Sequence, residues 1–207
     1  ILLIDKPGAT QTYFWLGNVG THRADPERPA QALANTVFGG RFTSMLNTEL
    51  RIKSGLSYGA YSGMMKYEQP GPVHIVSFTR TDATIQAIDL AIATLDRFHK
   101  EGIASEMQES AKNYVLGQFA PTLETGPQMA DKLSELALYG LSRDEVDLYA
   151  KNIRGTTPEQ FSKAVAVYPA SADLVMVLIG DATKIRDSVK KYGTVTEMKI
   201  SEPRFSP

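Results

Sequence analysis

Two side chains in one short stretch of this sequence, Arg51 and Tyr58, are the best suited to act on another molecule. The stretch runs from Asn35 to Tyr61 and reads NTVFGGRFTSMLNTELRIKSGLSYGAY. A Gly39-Gly40 turn precedes a helix-compatible run. Arg51 falls in the last turn of that run, Gly55 stops it, and Tyr58 opens an extended segment beyond the break. A helix end and the strand leaving it can point both side chains into one cleft. There a guanidinium and a phenol offer donors to polarised carbonyl oxygens. On spacing alone the pair also reads as a surface Arg near a helix C-terminus and a strand Tyr packed on the core.

Other chemistry is sparse. The three histidines are His22, His74 and His99, and no two are four residues apart. A catalytic zinc site needs about three protein ligands, so no metal site is assigned to this chain. His99, beside Phe98 near a helix C-terminus, reads as a solvated or dipole-capping group. Gly39-Gly40 is followed by no Gly-Lys-Ser/Thr, so it reads as a tight turn between helices and not as a phosphate loop. Ser44 and Ser57 have no nearby His base, which leaves a serine nucleophile without support. Tyr61, Met64, Met65 and Tyr67 fit either an apolar peptide groove or ordinary strand packing.

The elements that must position these groups follow from periodicity. Ile1 to Ile4 and Thr10 to Leu16 read as strands around a Lys6-Pro7-Gly8 turn. Asp25-Pro26 reads as a helix start, with Asp at the N-cap and Pro at the first helical position. That helix runs to about Val37, and a second spans about Arg41 to Lys53. Ser57 to Met65 and Val73 to Thr81 read as a hairpin around Gln69-Pro70-Gly71-Pro72. Ile85, Ile88, Ile92, Leu95 and Phe98 form one apolar helical stripe. Further stripes are Met107, Ala111, Tyr114, Val115 and Phe119, then Met129, Leu133, Leu136 and Ala137. Ser105 with Gln108, Ser142 with Glu145, and Thr157 with Gln160 read as capping boxes. Asp173 to Ile179 reads as a returning strand and Thr194 to Ile200 as a last edge strand. This order predicts an α+β fold, a largely antiparallel sheet with helices packed on one face, and one domain over residues 1–207.

Composition limits the alternatives. At 207 residues, with 43% hydrophobic and 22% charged content, the chain can bury one substantial core. A formal net charge of -1 and the absence of basic runs longer than Lys190-Lys191 predict no nucleic-acid partner. No apolar stretch approaches the roughly 18 residues of a membrane span. With no Cys, disulfides and thiolate zinc sites are excluded, and either redox compartment is compatible. Opening on an apolar run at Ile1, the chain reads as a fragment, the later half of a longer polypeptide.

The residues Asn35, Phe38, Gly39, Gly40, Ser44, Leu46, Leu50, Arg51, Gly55, Leu56 and Tyr58 carry a resemblance. They resemble the non-zinc halves of the pitrilysin/insulinase group of inverted zinc peptidases, which includes mitochondrial processing peptidase and its bacterial relatives. The segment Ile4-Asp5-Lys6-Pro7-Gly8-Ala9-Thr10-Gln11 is similar to the entry of such a domain in bacterial members. Met45 departs from the usual Arg, and Lys53-Ser54 from the usual charged pair, but neither departure touches Arg51 or Tyr58.

The resemblance implies a function. The family's zinc motif, His-x-x-Glu-His, is absent here, so zinc would be supplied by a partner domain or partner subunit. Arg51 would hold a backbone carbonyl of a peptide substrate, and Tyr58 would donate to the oxyanion of the tetrahedral intermediate. The resemblance also implies a rival, a scaffold subunit whose active site has decayed. A generic peptide-binding module using a sheet edge needs no zinc partner at all. A bacterial periplasmic setting is expected from the bacterial character of the Ile4 to Gln11 segment.

Overall fold

In the computed structural model, which describes residues 1–202, strand β2 (Gln11–Val19) buries Thr12, Phe14 and Leu16 on one face. Tyr13 and Trp15 lie on the other, as the two-residue period of a strand requires. Its neighbours are β3 (Ala60–Met64), β4 (Pro72–Arg80), β5 (Val175–Gly180), β1 (Leu2–Asp5) and β6 (Thr196–Lys199), in the sheet order β3-β4-β2-β5-β1-β6. The β3–β4, β4–β2 and β2–β5 pairings are antiparallel, and β5–β1 and β1–β6 are parallel. The sheet is therefore largely antiparallel with a parallel end, and β6 is an edge strand as its sequence predicts. The hairpin is real too, with Ala60 opposite Ser77 and Met64 opposite Val73.

The helices are α1 (Arg28–Phe38), α2 (Met45–Asn47), α3 (Thr84–Glu101), α4 (Ser105–Phe119) and α5 (Gly126–Leu138). The short α6 (Asp144–Asp147) and α7 (Tyr149–Arg154) precede α8 (Pro158–Val165) and α9 (Ala182–Val189). Leu3, Phe14, Leu16, Ile75 and Leu178 bury one sheet face with Leu33, Val37, Ile88, Leu95 and Ile185 from the helices. Phe38, Phe98 and Tyr168 interlock nearby, with ring centroids 4.6 to 5.3 Å apart. Such aromatic packing fixes the C-terminal end of α1 against α3. The opposite sheet face carries Trp15, His74, Val76 and Phe78, all partly exposed. Among the described residues no helix is long and apolar enough to cross a membrane.

Several helix signals act differently from their sequence reading. Helix α1 begins at Arg28 with Glu27 at its N-cap and Pro29 in the first turn, not at Asp25-Pro26. Asp25 is held outside the helix because its carboxylate already accepts from the Glu27 amide, the Thr21 hydroxyl and the Gln31 amide. No Ser105–Gln108 box forms. Ala104 caps α4, and Gln108 Nε2 donates instead to the Ile103 carbonyl at 2.8 Å. The Ser142–Glu145 box is also absent, since Glu145 is taken by Arg23 and Arg28. The Thr157–Gln160 box is present, and so is one at Thr125–Gln128. On α5 only Leu136 of the expected stripe is buried, while Met129 and Leu133 are 52% and 61% exposed.

Candidate functional site

The segment between α1 and β3 is built to hold two side chains outward. Gly39 and Gly40 both return their amides to the Asn35 carbonyl, which ends α1. Gly39 must be glycine here, because a Cβ would come within 2.3 Å of the Ser62 backbone nitrogen on β3. The sequence-predicted turn is thus also a close approach of two backbones. Ser44 caps α2 by accepting from the Asn47 amide. Met45, at the family's Arg position, packs against the core at the start of α2.

Helix α2 runs directly into a π-helical turn, Thr48–Lys53. That widened turn places Leu50 in the core and leaves Arg51 at the surface rim. Glu49 ties the turn down through ion pairs of 2.9 Å to Lys53 and to Arg97 on α3. Burial pushes the Glu49 carboxyl upward, but hydrogen bonds from Lys53 and Arg97 outweigh it and hold the group below the usual carboxylate range. Gly55, at φ +63°, takes the left-handed conformation that ends the turn and redirects the chain.

Beyond Gly55 the loop is latched by hydroxyls. Ser57 Oγ donates to the Gly59 carbonyl at 2.7 Å, and Ser77 on β4 donates to the same carbonyl at 2.8 Å. Thr79 Oγ1 donates to the Leu56 carbonyl at 2.6 Å. Buried Asn47 joins the two halves: its amide donates to the Phe42 carbonyl at 2.7 Å and its oxygen accepts from the Ala60 amide at 3.3 Å. Neither Ser44 nor Ser57 is left free as a nucleophile, since both hydroxyls serve backbone geometry.

The product of this framework is a stack. The Arg51 guanidinium carbon lies 4.4 Å from the Tyr58 ring centroid and 4.9 Å from the Phe42 ring centroid. Tyr58 is 74% exposed and Phe42 56% exposed. Arg51 and Tyr58 are therefore together, at the surface, and Tyr58 is not packed on the core. The sequence reading missed Phe42. A large aromatic in the polar run after Gly39-Gly40 was the only signal for it. Each cation–π contact of this kind contributes about 0.5–1 kcal/mol at an exposed site. The stack thus orients the guanidinium while leaving its edge donors available.

The histidines are scattered over separate elements. His22 precedes α1. His74 stacks on Trp15, with ring centroids 5.1 Å apart, and is pushed down from its ordinary value by burial. His99 is not simply solvated: its Nε2 lies 3.2 Å from the Pro169 carbonyl. Among the described residues no group of three or more His, Asp or Glu side chains is placed to hold a metal ion. Tyr61, Met65 and Tyr67 are exposed, whereas Met64 packs partly on the core, so these four do not form one continuous face.

Comparison with known proteins gives consistent matches. The family described as Peptidase M16 inactive domain matches residues 1–115. An uncharacterized zinc protease of Streptomyces coelicolor is 26% identical over 156 residues, covering 75% of this chain and 34% of that protein. The zinc protease YmxG of Bacillus subtilis is 28% identical over 123 residues, covering 59% of this chain and 30% of that protein. The chain thus spans about a third of the length of these curated relatives. Among solved structures, a peptidase M16 inactive domain from Pseudomonas fluorescens superposes with a TM-score of 0.79 at 26% identity. That match covers 86% of this chain and 43% of the other.

Proposed function

The chain belongs to the peptidase M16 inactive-domain family, and from that premise we propose that it is the substrate-holding half of a zinc-dependent endopeptidase. A zinc ion would be held by a partner domain or subunit and would supply Lewis-acid chemistry there. The described residues do not fit that ion, because His22, His74 and His99 stand on separate elements without convergent carboxylates. Their contribution to the reaction is binding and orientation.

The observation that carries the proposal is the exposed Phe42–Arg51–Tyr58 stack. Arg51 holds a peptide carbonyl next to the scissile bond through charge-assisted hydrogen bonds. The Tyr58 hydroxyl donates to the carbonyl oxygen as it gains negative charge. A preorganised donor of this kind contributes roughly 2.7–4 kcal/mol at the transition state. A scaffold subunit would have no use for this pair. The periplasmic setting belongs to the same proposal and is tested by cell fractionation.

The test is Tyr58→Phe in the complete zinc-containing enzyme. The hydroxyl makes no hydrogen bond within the described residues and the ring is largely exposed, so folding is expected to be unchanged. kcat should fall about 10²–10³-fold with little change in KM. A Tyr58→Phe enzyme with wild-type kcat would remove the catalytic role and favour the scaffold.

A further inference from the structure

Off the opposite end of β3 from the Arg51–Tyr58 stack lies an open cavity of about 530 Å³ between α1, α4, α5 and α7. We propose that this cavity binds a carboxylate carried on an apolar or aromatic body, with Lys66 as the cation that receives it. The volume is that of a small-molecule site, since such sites typically span about 300–1,000 Å³. One wall is apolar, formed by Met64, Val115, Phe119 and Tyr149. Phe119 and Tyr149 stack with centroids 3.9 Å apart and ring planes within 16°, which gives that wall a rigid aromatic surface.

The charged part of the lining is Arg23, Lys66, Lys132 and Glu145, whose ion partners lie beside the cavity, and the charges do not cancel. Arg23 pairs with Glu135 at 2.7 Å and with Glu145 at 3.3 Å, Arg28 pairs with Glu145, and Lys132 pairs with Glu135. Asp25 is satisfied by neutral donors from Thr21 and Gln31 and by the Glu27 amide. Lys66 lines the cavity without a carboxylate partner; its Nζ donates at 2.7 Å to the neutral Gln31 Oε1. Four cations and three carboxylates thus stand in and beside the cavity, and among the described residues Lys66 is the cation of this set with no carboxylate at ion-pair distance. Burial pulls this ammonium down from its ordinary 10.5 to about 8, with Arg23 and Arg28 adding to the shift and the Asp25 carboxylate only partly opposing it.

An ammonium has three donors, and only one of these is used among the described residues. An arriving carboxylate would occupy the others and relieve the unbalanced charge. A surplus of one suits a monoanion. A phosphate dianion would leave one negative charge uncompensated in the partly enclosed site. The apolar wall selects the rest of the ligand. This chemistry is shared by the C-terminal residue of a peptide and by a small free aromatic acid.

Calorimetric titration of the 207-residue chain separates these sources. The probes are 3-phenylpropionate and its amide, and the peptide Ala-Ala-Phe as free acid and as C-terminal amide. At least one free acid is expected to bind about 10–100-fold more tightly than its amide, the ratio for one charge-assisted hydrogen bond. Tighter binding of the peptide acid identifies peptide termini as the source, and tighter binding of 3-phenylpropionate identifies free acids. Lys66→Met should abolish the preference for acid over amide, and Lys66→Arg should keep it. Equal affinity of acid and amide for the wild-type chain, or no binding of any probe at millimolar concentration, overturns the proposal. So does an acid preference that survives in Lys66→Met. The comparison on the wild-type chain needs no variant, so it stands even if a substitution disturbs folding.

Discussion

Replacing Lys66 by Met removes an ammonium and keeps most of the side chain's length and apolar volume. Burial pulls that ammonium from 10.5 down to about 8, with Asp25 opposing the shift and Arg23 and Arg28 adding to it. At about 1.36 kcal/mol per pH unit, the gap between these values corresponds to roughly 3 kcal/mol. The sign follows from proton counting. Between pH 8 and 10.5 the unfolded chain holds the Lys66 proton and the folded chain has released it. Stability therefore rises with pH through that window and is lost as pH falls toward 8. Below pH 8 the full cost of the buried charge is present. Lys66→Met lacks this dependence, although it leaves Gln31 Oε1 without its donor, at a cost of about 1–3 kcal/mol. The assay is urea unfolding of both chains, followed by circular dichroism, from pH 7 to 10.5. Titrations common to the two chains, including the tyrosines, cancel in the difference. The wild-type chain should gain about 3 kcal/mol relative to Lys66→Met across the window. Parallel stability curves would refute the reasoning and show Lys66 to be adequately solvated.

Four further outcomes follow from the geometry. Gly39→Ala should destabilise the chain by about 1–3 kcal/mol, because the new methyl meets Ser62 nitrogen, Oγ and Cβ at 2.3 to 2.7 Å; an unchanged thermal midpoint would mean that β3 yields easily. Trp15 is the only Trp and stacks on His74, so its fluorescence should fall on acidification with a midpoint below the ordinary 6.5 that burial depresses, and His74→Phe should lose the transition. In the proposed zinc-containing enzyme, Arg51→Ala should raise KM as well as lower kcat, since in that reading it removes a contact of roughly 1.5–3 kcal/mol made to bound substrate. Phe42→Ala loosens only one face of the stack, about 0.5–1 kcal/mol, and its KM should rise no more than about fivefold.

What the sequence discloses depends on how local the deciding interaction is. The α3 stripe was legible because Ile88, Leu95 and Phe98 answer to one rule, the 3.6-residue period, and all three are buried. The Thr157–Gln160 box was legible because its bonds are local, and the distant contact of Gln160 with Glu27 uses only the spare Nε2. The Ser142–Glu145 box fails for a non-local reason: Glu145 meets Arg23 and Arg28, more than a hundred residues away in the chain. At the candidate site the pairing of Arg51 with Tyr58 was readable from spacing together with family resemblance. The π-helical turn that presents Arg51 was not, because i to i+5 bonding has no strong composition of its own. Phe42 was missed because its role arises only when the loop after Gly39-Gly40 folds back over Arg51. The Lys66 cavity was missed because its charge surplus is a sum over α1, α5, α6 and two loops.

For the proposed role of Tyr58, the latch of Ser57, Ser77, Thr79 and Asn47 supplies what an exposed donor needs, a loop ordered in advance. A Tyr on a free loop would have to be ordered at the moment of reaction, and that entropy would subtract from transition-state binding. Here the ordering is done during folding. Buried hydroxyls on β4 hold the loop's carbonyls, and the Arg51 guanidinium holds the ring face, so the Tyr58 hydroxyl stays free of internal partners. Hydroxyl donors suit the task because they satisfy buried carbonyls without demanding the space of an apolar contact. The same economy accounts for Arg over Lys at position 51. Only a planar guanidinium can lie against both the Phe42 and Tyr58 rings and still keep edge donors for the proposed peptide carbonyl.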